Sequence, residues 1–179
     1  NSIRQRTDYP DYEIIVIDNG SQLPDMLHYL QTCPCDRVIR IDEPFNHSML
    51  NNRAAEAATG EFLVLLNDDT EVLTSHWLSA MVEQGVCPEV GAVGAWLIYP
   101  DGRTQHAGVV LEDIAVARHV SSAITLDGLD RGISLKAMLG LLPWAYGMMQ
   151  DGLDRGLGLL TREVSAVTGA CLLVRRRLY

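Results

Sequence analysis

Phe62-Leu63-Val64-Leu65-Leu66, followed at once by Asn67-Asp68-Asp69-Thr70, decides how this chain is read. Five apolar residues in a row fit a strand buried on both faces, as in a parallel sheet. The two adjacent carboxylates then stand where open α/β sheets bind ligands, in the crevice beyond the strand ends. Hard oxygen donors at that place suit Mg²⁺ or Mn²⁺, and such an ion suits a diphosphate. A plainer reading fits the same residues: a loop that only leads into a helix over His76–Gln84, capped by Thr74 or Ser75. The two acids alone do not choose between these readings.

Outward from this stretch, strands and helices alternate. Glu13–Ile17 is a short β-branched run ending in the turn residues Asp18-Asn19-Gly20-Ser21. Pro24–Gln31 reads as a helix with proline at its start. Arg37–Ile41 reads as a second strand, and Ser48–Ala58 as a helix stopped by Gly60. With Phe62–Leu66 as the third strand, the order predicts an α/β fold with a mainly parallel sheet flanked by helices. Val90–Tyr99 is a further apolar run, turned by Pro100-Asp101-Gly102, with Gln105–Leu111 returning as a hairpin partner. Arg162–Ala166 and Ala170–Val174 read as the last strand segments.

Composition bounds the function. A chain of 179 residues predicts one domain. It is 47% hydrophobic and 21% charged, ordinary for a globular protein able to bury a core. Its net charge of −9 argues against a nucleic-acid partner, which would call for a basic face. An acidic chain still binds an anionic nucleotide if a metal and backbone N–H groups carry the recognition. Cys33-Pro34-Cys35 lacks the two-residue gap of zinc ribbons and thioredoxin-like motifs, and no second pair completes a metal site. Cys33, Cys35, Cys87 and Cys171 therefore read as reduced thiols of a cytoplasmic protein. The longest apolar stretch, Ala137–Met149, is too short to span a bilayer and contains Pro143.

One hexapeptide recurs: Asp127-Gly128-Leu129-Asp130-Arg131-Gly132 and Asp151-Gly152-Leu153-Asp154-Arg155-Gly156. One repeat makes no solenoid. The copies bracket Ile133–Gln150, whose apolar spacing predicts an inserted helix. Its apolar face packs on the core or serves as a partner or membrane-surface patch.

Several segments together resemble the inverting family 2 glycosyltransferases. Tyr9-Pro10-Asp11-Tyr12-Glu13-Ile14-Ile15-Val16-Ile17-Asp18-Asn19-Gly20-Ser21 resembles their early strand and turn. Asn46 to Glu61, with Asn51-Asn52-Arg53-Ala54-Ala55 and Thr59-Gly60-Glu61, resembles the helix before their acidic motif. Leu65-Leu66-Asn67-Asp68-Asp69-Thr70-Glu71-Val72 resembles that motif, a variant of Asp-x-Asp with Asn67 in the first acid's place. Val90-Gly91-Ala92-Val93-Gly94, Tyr99-Pro100-Asp101-Gly102-Arg103, Gln105-His106-Ala107-Gly108-Val109 and Val164-Ser165-Ala166-Val167-Thr168-Gly169-Ala170-Cys171-Leu172 continue the likeness. It covers nearly the whole chain except about residues 121–160, and is closest to members that build bacterial surface polysaccharides.

The resemblance implies a GT-A fold, here incomplete, with a nucleotide-binding half over 1–99. An acceptor-side half over 100–179 would carry the insert at about 121–160. It implies a nucleotide-diphospho-sugar donor, Mg²⁺ or Mn²⁺, and a glycan or lipid-linked glycan acceptor. Asp18 would accept a hydrogen bond from the base, and Asn46 would stand near it. Asp68 would touch the ribose or the metal shell, and Asp69 would bind the metal bridging the diphosphate. Family members begin with a strand and loop before Tyr9–Ile17 and continue past Val174–Tyr179 to an acidic pair that supplies the general base. The expectation is thus a piece of a larger domain, weakly active or inactive alone, with its base beyond Tyr179. An oligomer or a marginally stable monomer would follow, in the cytoplasm or at the inner face of the membrane. A sugar-nucleotide nucleotidyltransferase and a non-catalytic nucleotide-binding fragment are the competing readings.

The remaining polar and aromatic residues have plain readings. His106 on its hairpin reads as structural rather than as a donor or metal contact, and His47, His76 and His119 as surface or capping residues. Arg175-Arg176-Arg177 reads as a solvated face rather than a phosphate site. Thr168-Gly169-Ala170 either shapes a pocket or bends the chain. Trp77, Trp96 and Trp144 read as core or partly buried, with Trp144 the candidate for acceptor stacking.

Overall fold

The computed structural model describes residues 1–111, 117–119, 164 and 166–179. The inserted helix with its flanking repeats, and Trp144 with it, lie outside the described residues. Two compact units emerge, Asn1–Val93 with Ala170–Tyr179, and Gly94–Gly169.

In the first unit the elements run α1 (Ser2–Arg6), β1 (Ile15–Asp18), α2 (Pro24–Thr32), β2 (Arg37–Arg40), α3 (His47–Ala57), β3 (Phe62–Leu66) and α4 (Trp77–Gly85). The chain later returns as β9 (Cys171–Arg175) and a 3₁₀ turn (Arg176–Leu178). Pro24 opens α2, where its missing N–H costs nothing. The Asn46 side chain accepts the Met49 N–H at 3.0 Å and caps α3. Two expected ends move. His76, not Thr74 or Ser75, stands at the N-cap position of α4; its side chain makes no capping hydrogen bond, and its ring pairs with Asp8. α3 stops at Ala57, three residues short of Gly60, because Ala58 turns extended and the next residue is taken by Glu13. The Glu13 Oε1 accepts both the Thr59 N–H at 2.6 Å and the Thr59 hydroxyl at 2.7 Å.

Strand pairing departs from a mostly parallel sheet. β1 and β2 pair in parallel, from Ile15↔Arg37 to Asp18↔Arg40. β3 pairs antiparallel with β9, from Phe62↔Arg175 to Leu66↔Cys171. β4 (Ala92–Gly94) lies on the other side of β9. An apolar run reports how deeply a strand is buried, not the direction of its neighbour. The depth differs as well: of Phe62–Leu66 only Leu63 is fully buried, and the other four are half-buried. The core of this unit is Leu50, Leu63, Val72, Leu78, Met81, Cys171 and Leu173. A Cβ on Gly85 would stand 2.8 Å from Leu173 Cδ2 and 3.1 Å from Phe62 Cε1, so its hydrogen lets α4 lie close against the sheet.

In the second unit, β5 (Leu97–Ile98) and β6 (Thr104–His106) form the expected hairpin. Its turn is closed by Tyr99 N–H to the Arg103 carbonyl at 2.7 Å, with Gly102 at φ 81°. Val109–Leu111 does not extend that hairpin strand. It forms β7, paired antiparallel with β8 (Ala117–His119). Of the expected Arg162–Ala166 strand, Ala166 is bridged to Val109; residues 162, 163 and 165 lie outside the described residues. No described helix is long and apolar enough to cross a membrane.

Candidate functional site

Asp18 ends β1 and is 5% exposed. Its Oδ1 accepts the Ser21 N–H at 2.8 Å, closing a turn in which Gly20 sits at φ 74°. Its Oδ2 accepts from Arg40 Nη1 at 2.9 Å. Hydrogen bonds from Ser21, and then the Arg40 charge, hold the carboxyl below its usual range although burial pushes the other way. Asp18 is therefore a carboxylate at neutral pH, with Ser21 and Arg40 as its hydrogen-bond partners. Arg40 itself spans two acids, since its Nε also donates to Asp42 Oδ1 at 2.9 Å. Asn19 ties the turn to the segment that follows β2 through the carbonyls of Ile41 at 2.8 Å and Glu43 at 2.9 Å.

Asn67, Asp68 and Asp69 follow β3 and are exposed. Their backbone is held on both sides. The Asn67 N–H donates to the Ala170 carbonyl at 3.0 Å, which extends the β3–β9 ladder by one step. The Thr70 hydroxyl donates to the Asn67 carbonyl at 2.7 Å. Two residues on, the Val72 carbonyl accepts from Arg6 Nη1 at 2.7 Å and the Val72 N–H donates to the Ser2 hydroxyl at 3.2 Å. Helix α1 thus straps the segment that carries the acids. The carboxylates themselves face water.

Among the described residues no three His, Cys, Asp or Glu side chains gather into a cage for a metal. Asp18 lies in the β1–β2 pair and Asp68–Asp69 follow a strand of the other sheet, so the acids are not one cluster. Two open depressions border them in sequence. One, of about 590 Å³, is lined by Arg40, Asp42, Glu43, Arg53 and Glu56 among others. The second, of about 320 Å³, lies between Asn52, Glu56, Leu63, Arg176 and Tyr179. Asp18, Asp68 and Asp69 line neither.

Two residues have clearer roles in the structure than in the sequence. His106 is 1% exposed, and its Nε2 accepts the N–H groups of Gly108 and Thr168, each at 3.3 Å, as a structural histidine does. Arg175 does not belong to a solvated face. It is 6% exposed, with Nη2 donating to the Cys87 carbonyl at 2.7 Å, while Arg176 and Arg177 are exposed. The period of two along β9 buries Cys171, Leu173 and Arg175 alike. That alternation separates Arg175 from Arg176, and Arg177 lies past the strand in the 3₁₀ turn.

Comparison with known proteins fits this arrangement. The description "Glycosyl transferase family 2" matches residues 1–116. The chain belongs to that family, whose α/β fold is of the GT-A type. It is 39% identical over 182 residues to uncharacterized protein y4gI of Sinorhizobium fredii, which covers 99% of this chain and 18% of that relative. It is 34% identical over 181 residues to the O-antigen biosynthesis protein RfbC of Myxococcus xanthus, which covers 100% of this chain and 12% of that relative. The chain therefore spans less than a fifth of the length of these curated relatives. No solved structure matches it.

Proposed function

We propose that this glycosyltransferase domain moves a sugar, with inversion, from a nucleotide-diphospho-sugar to a hydroxyl of a glycan or lipid-linked glycan. The observation that carries the reading is the pair of exposed carboxylates, Asp68 and Asp69, on a backbone pinned at Asn67, Thr70 and Val72. Mg²⁺ and Mn²⁺ take hard oxygen ligands, and Mg²⁺ is commonly held by one or two carboxylates plus substrate phosphates. Two adjacent exposed acids fit that donor set. Asp69 would hold the ion and Asp68 the ribose or the ion's water shell; the ion would supply charge neutralisation to the departing diphosphate. Asp18 would accept a hydrogen bond from the nucleotide base, and Asn46, the N-cap of α3, would stand near that base. The name of the Myxococcus relative supports bacterial surface polysaccharide as the product class.

Calorimetric titration of the 179-residue chain with UDP, GDP and dTDP tests the donor site. Binding is expected with Mn²⁺ and lost in EDTA, abolished in Asp69→Ala and weakened in Asp68→Ala. Equal binding by wild type and Asp69→Ala would remove the metal assignment. Slow hydrolysis of a donor sugar marks a transferase, whereas exchange of pyrophosphate into a nucleoside triphosphate would replace the reading by a nucleotidyltransferase.

A further inference from the structure

Cys33 caps the C-terminus of α2 in an extended conformation, and Pro34 cannot continue the helix. The Cys35 N–H donates to the Cys33 carbonyl at 2.8 Å, so the three residues close a tight turn around Pro34. That turn is built into the fold rather than left loose. Arg4 Nε donates to the Pro34 carbonyl at 3.0 Å, and the Arg4 guanidinium also pairs with Asp36. Asp36 in turn accepts the Ile14 N–H at 2.6 Å, just before β1. Both thiols are free and half-buried. Two Cα atoms one residue apart are separated by at most about 7 Å. A hydrogen-bonded turn shortens that distance into the roughly 4.4–6.8 Å that a disulfide spans.

We propose that Cys33 and Cys35 form a reversible dithiol–disulfide pair that exchanges with disulfides of small thiols such as oxidised glutathione. The Cys33 thiolate attacks one sulfur of the small disulfide, forming a mixed disulfide and releasing one small thiolate. The Cys35 sulfur then attacks Cys33, closing the intramolecular bond and releasing the second. The protein loses two protons and two electrons, and the small disulfide gains them as two thiols. Burial, and then the Cys33 sulfur beside it, push the Cys35 thiol up, which suits the resolving rather than the attacking role. The other cysteines lack this arrangement: Cys171 is buried against Met81, and Cys87 is exposed without a neighbouring thiol. The ring closed across a single proline is small, and strained disulfides are the readily reduced, switching kind rather than permanent staples.

Trypsin makes the test direct, because no Lys or Arg lies between Arg6 and Arg37. The peptide of residues 7–37 therefore carries Cys33 and Cys35 and no other cysteine. The folded chain is equilibrated in graded mixtures of reduced and oxidised glutathione, quenched with acid and alkylated. That peptide is expected to lose two hydrogens without gaining glutathione, and to recover them in dithiothreitol. Cys35→Ser should instead trap one glutathione on Cys33, and Cys87→Ser should leave the exchange unchanged. The folded chain should close the bond at least about tenfold more favourably than the same chain in urea, a measure of how far the turn preorganises the pair. Glutathione retained on the wild-type peptide would overturn the proposal. So would a fully reduced peptide in mixtures that already modify Cys87, or an equal preference in urea.

Discussion

Arg40 Nη1 lies 2.9 Å from Asp18 Oδ2, directly across the parallel step at which the two residues are register partners. The Asp18 side chain is 3% exposed and the Arg40 side chain 44%, so the carboxylate is enclosed while its partner reaches water. Strand ends that would otherwise splay are joined at the point where the candidate base-binding acid sits. Asp18→Asn keeps the shape and an acceptor for Ser21 but removes the charge that Arg40 answers. The variant should bind nucleoside diphosphate more weakly, by about 0.5–1.5 kcal/mol for a hydrogen bond of ordinary strength, with Mn²⁺ dependence intact. Loss of metal dependence alone would exchange the roles given to Asp18 and Asp69.

Glu13 gives the clearest pH signature. Hydrogen bonds from Thr59, first of all from its backbone, together with Arg37, lower its pKa from 4.5 to about 2. A depressed folded-state pKa adds stability above the unfolded value and loses it as pH falls through the folded value. Glu13 should therefore contribute fully above pH 4.5 and cease to contribute near pH 2. Urea titrations of wild type and Glu13→Gln should differ by about 1–3 kcal/mol at pH 7. The gap should narrow between pH 4.5 and about 2. A gap independent of pH would show that packing, not charge, accounts for it.

Asp68 and Asp69 should separate function from stability. Both are exposed, and surface substitutions away from caps and networks usually change stability by less than about 0.5 kcal/mol. Asp68→Ala and Asp69→Ala should melt with the wild type in EDTA. Mn²⁺ with nucleoside diphosphate should then raise the wild-type Tm and leave that of Asp69→Ala unmoved. A Tm already lowered without metal would give these acids a structural role.

Arg175→Met should cost about 1–3 kcal/mol, because the Cys87 carbonyl loses a buried donor. Arg177→Ala, two residues on and exposed, should fall within about 0.5 kcal/mol of wild type. Chemical denaturation of the two variants decides it. Equal costs would mean that the burial of Arg175 at the end of β9 does not set the difference.

The legible parts of this fold were those with a local cause. Phe62–Leu66 begins and ends where its apolar run does, and Pro24 fixes the start of α2. What the sequence hid depends on partners far along the chain. The end of α3 is decided by Glu13 reaching Thr59, not by the nearby Gly60. The direction of β3's neighbour is decided by a strand more than a hundred positions away, which no run of residues 62–66 can report. Asp68 and Asp69 were visible as a pair of acids after a strand. That α1 holds their backbone through Arg6 and Ser2 was not, because neither residue has a pattern of its own.

The ladder between Phe62–Leu66 and Cys171–Arg175 also has a consequence in time. A ribosome adding roughly 5–20 residues per second would take about 5–21 s to pass from one strand to the other. Through that interval the apolar strand has no β9 to pair with, and Asn67 has no Ala170 carbonyl to bind. Long-range pairings of this kind form late and slowly. The nascent chain would then carry an unpaired apolar edge, of the sort chaperones shield, until residues 170–175 clear the exit tunnel. The acidic turn would be among the last places in the first unit to reach its final geometry.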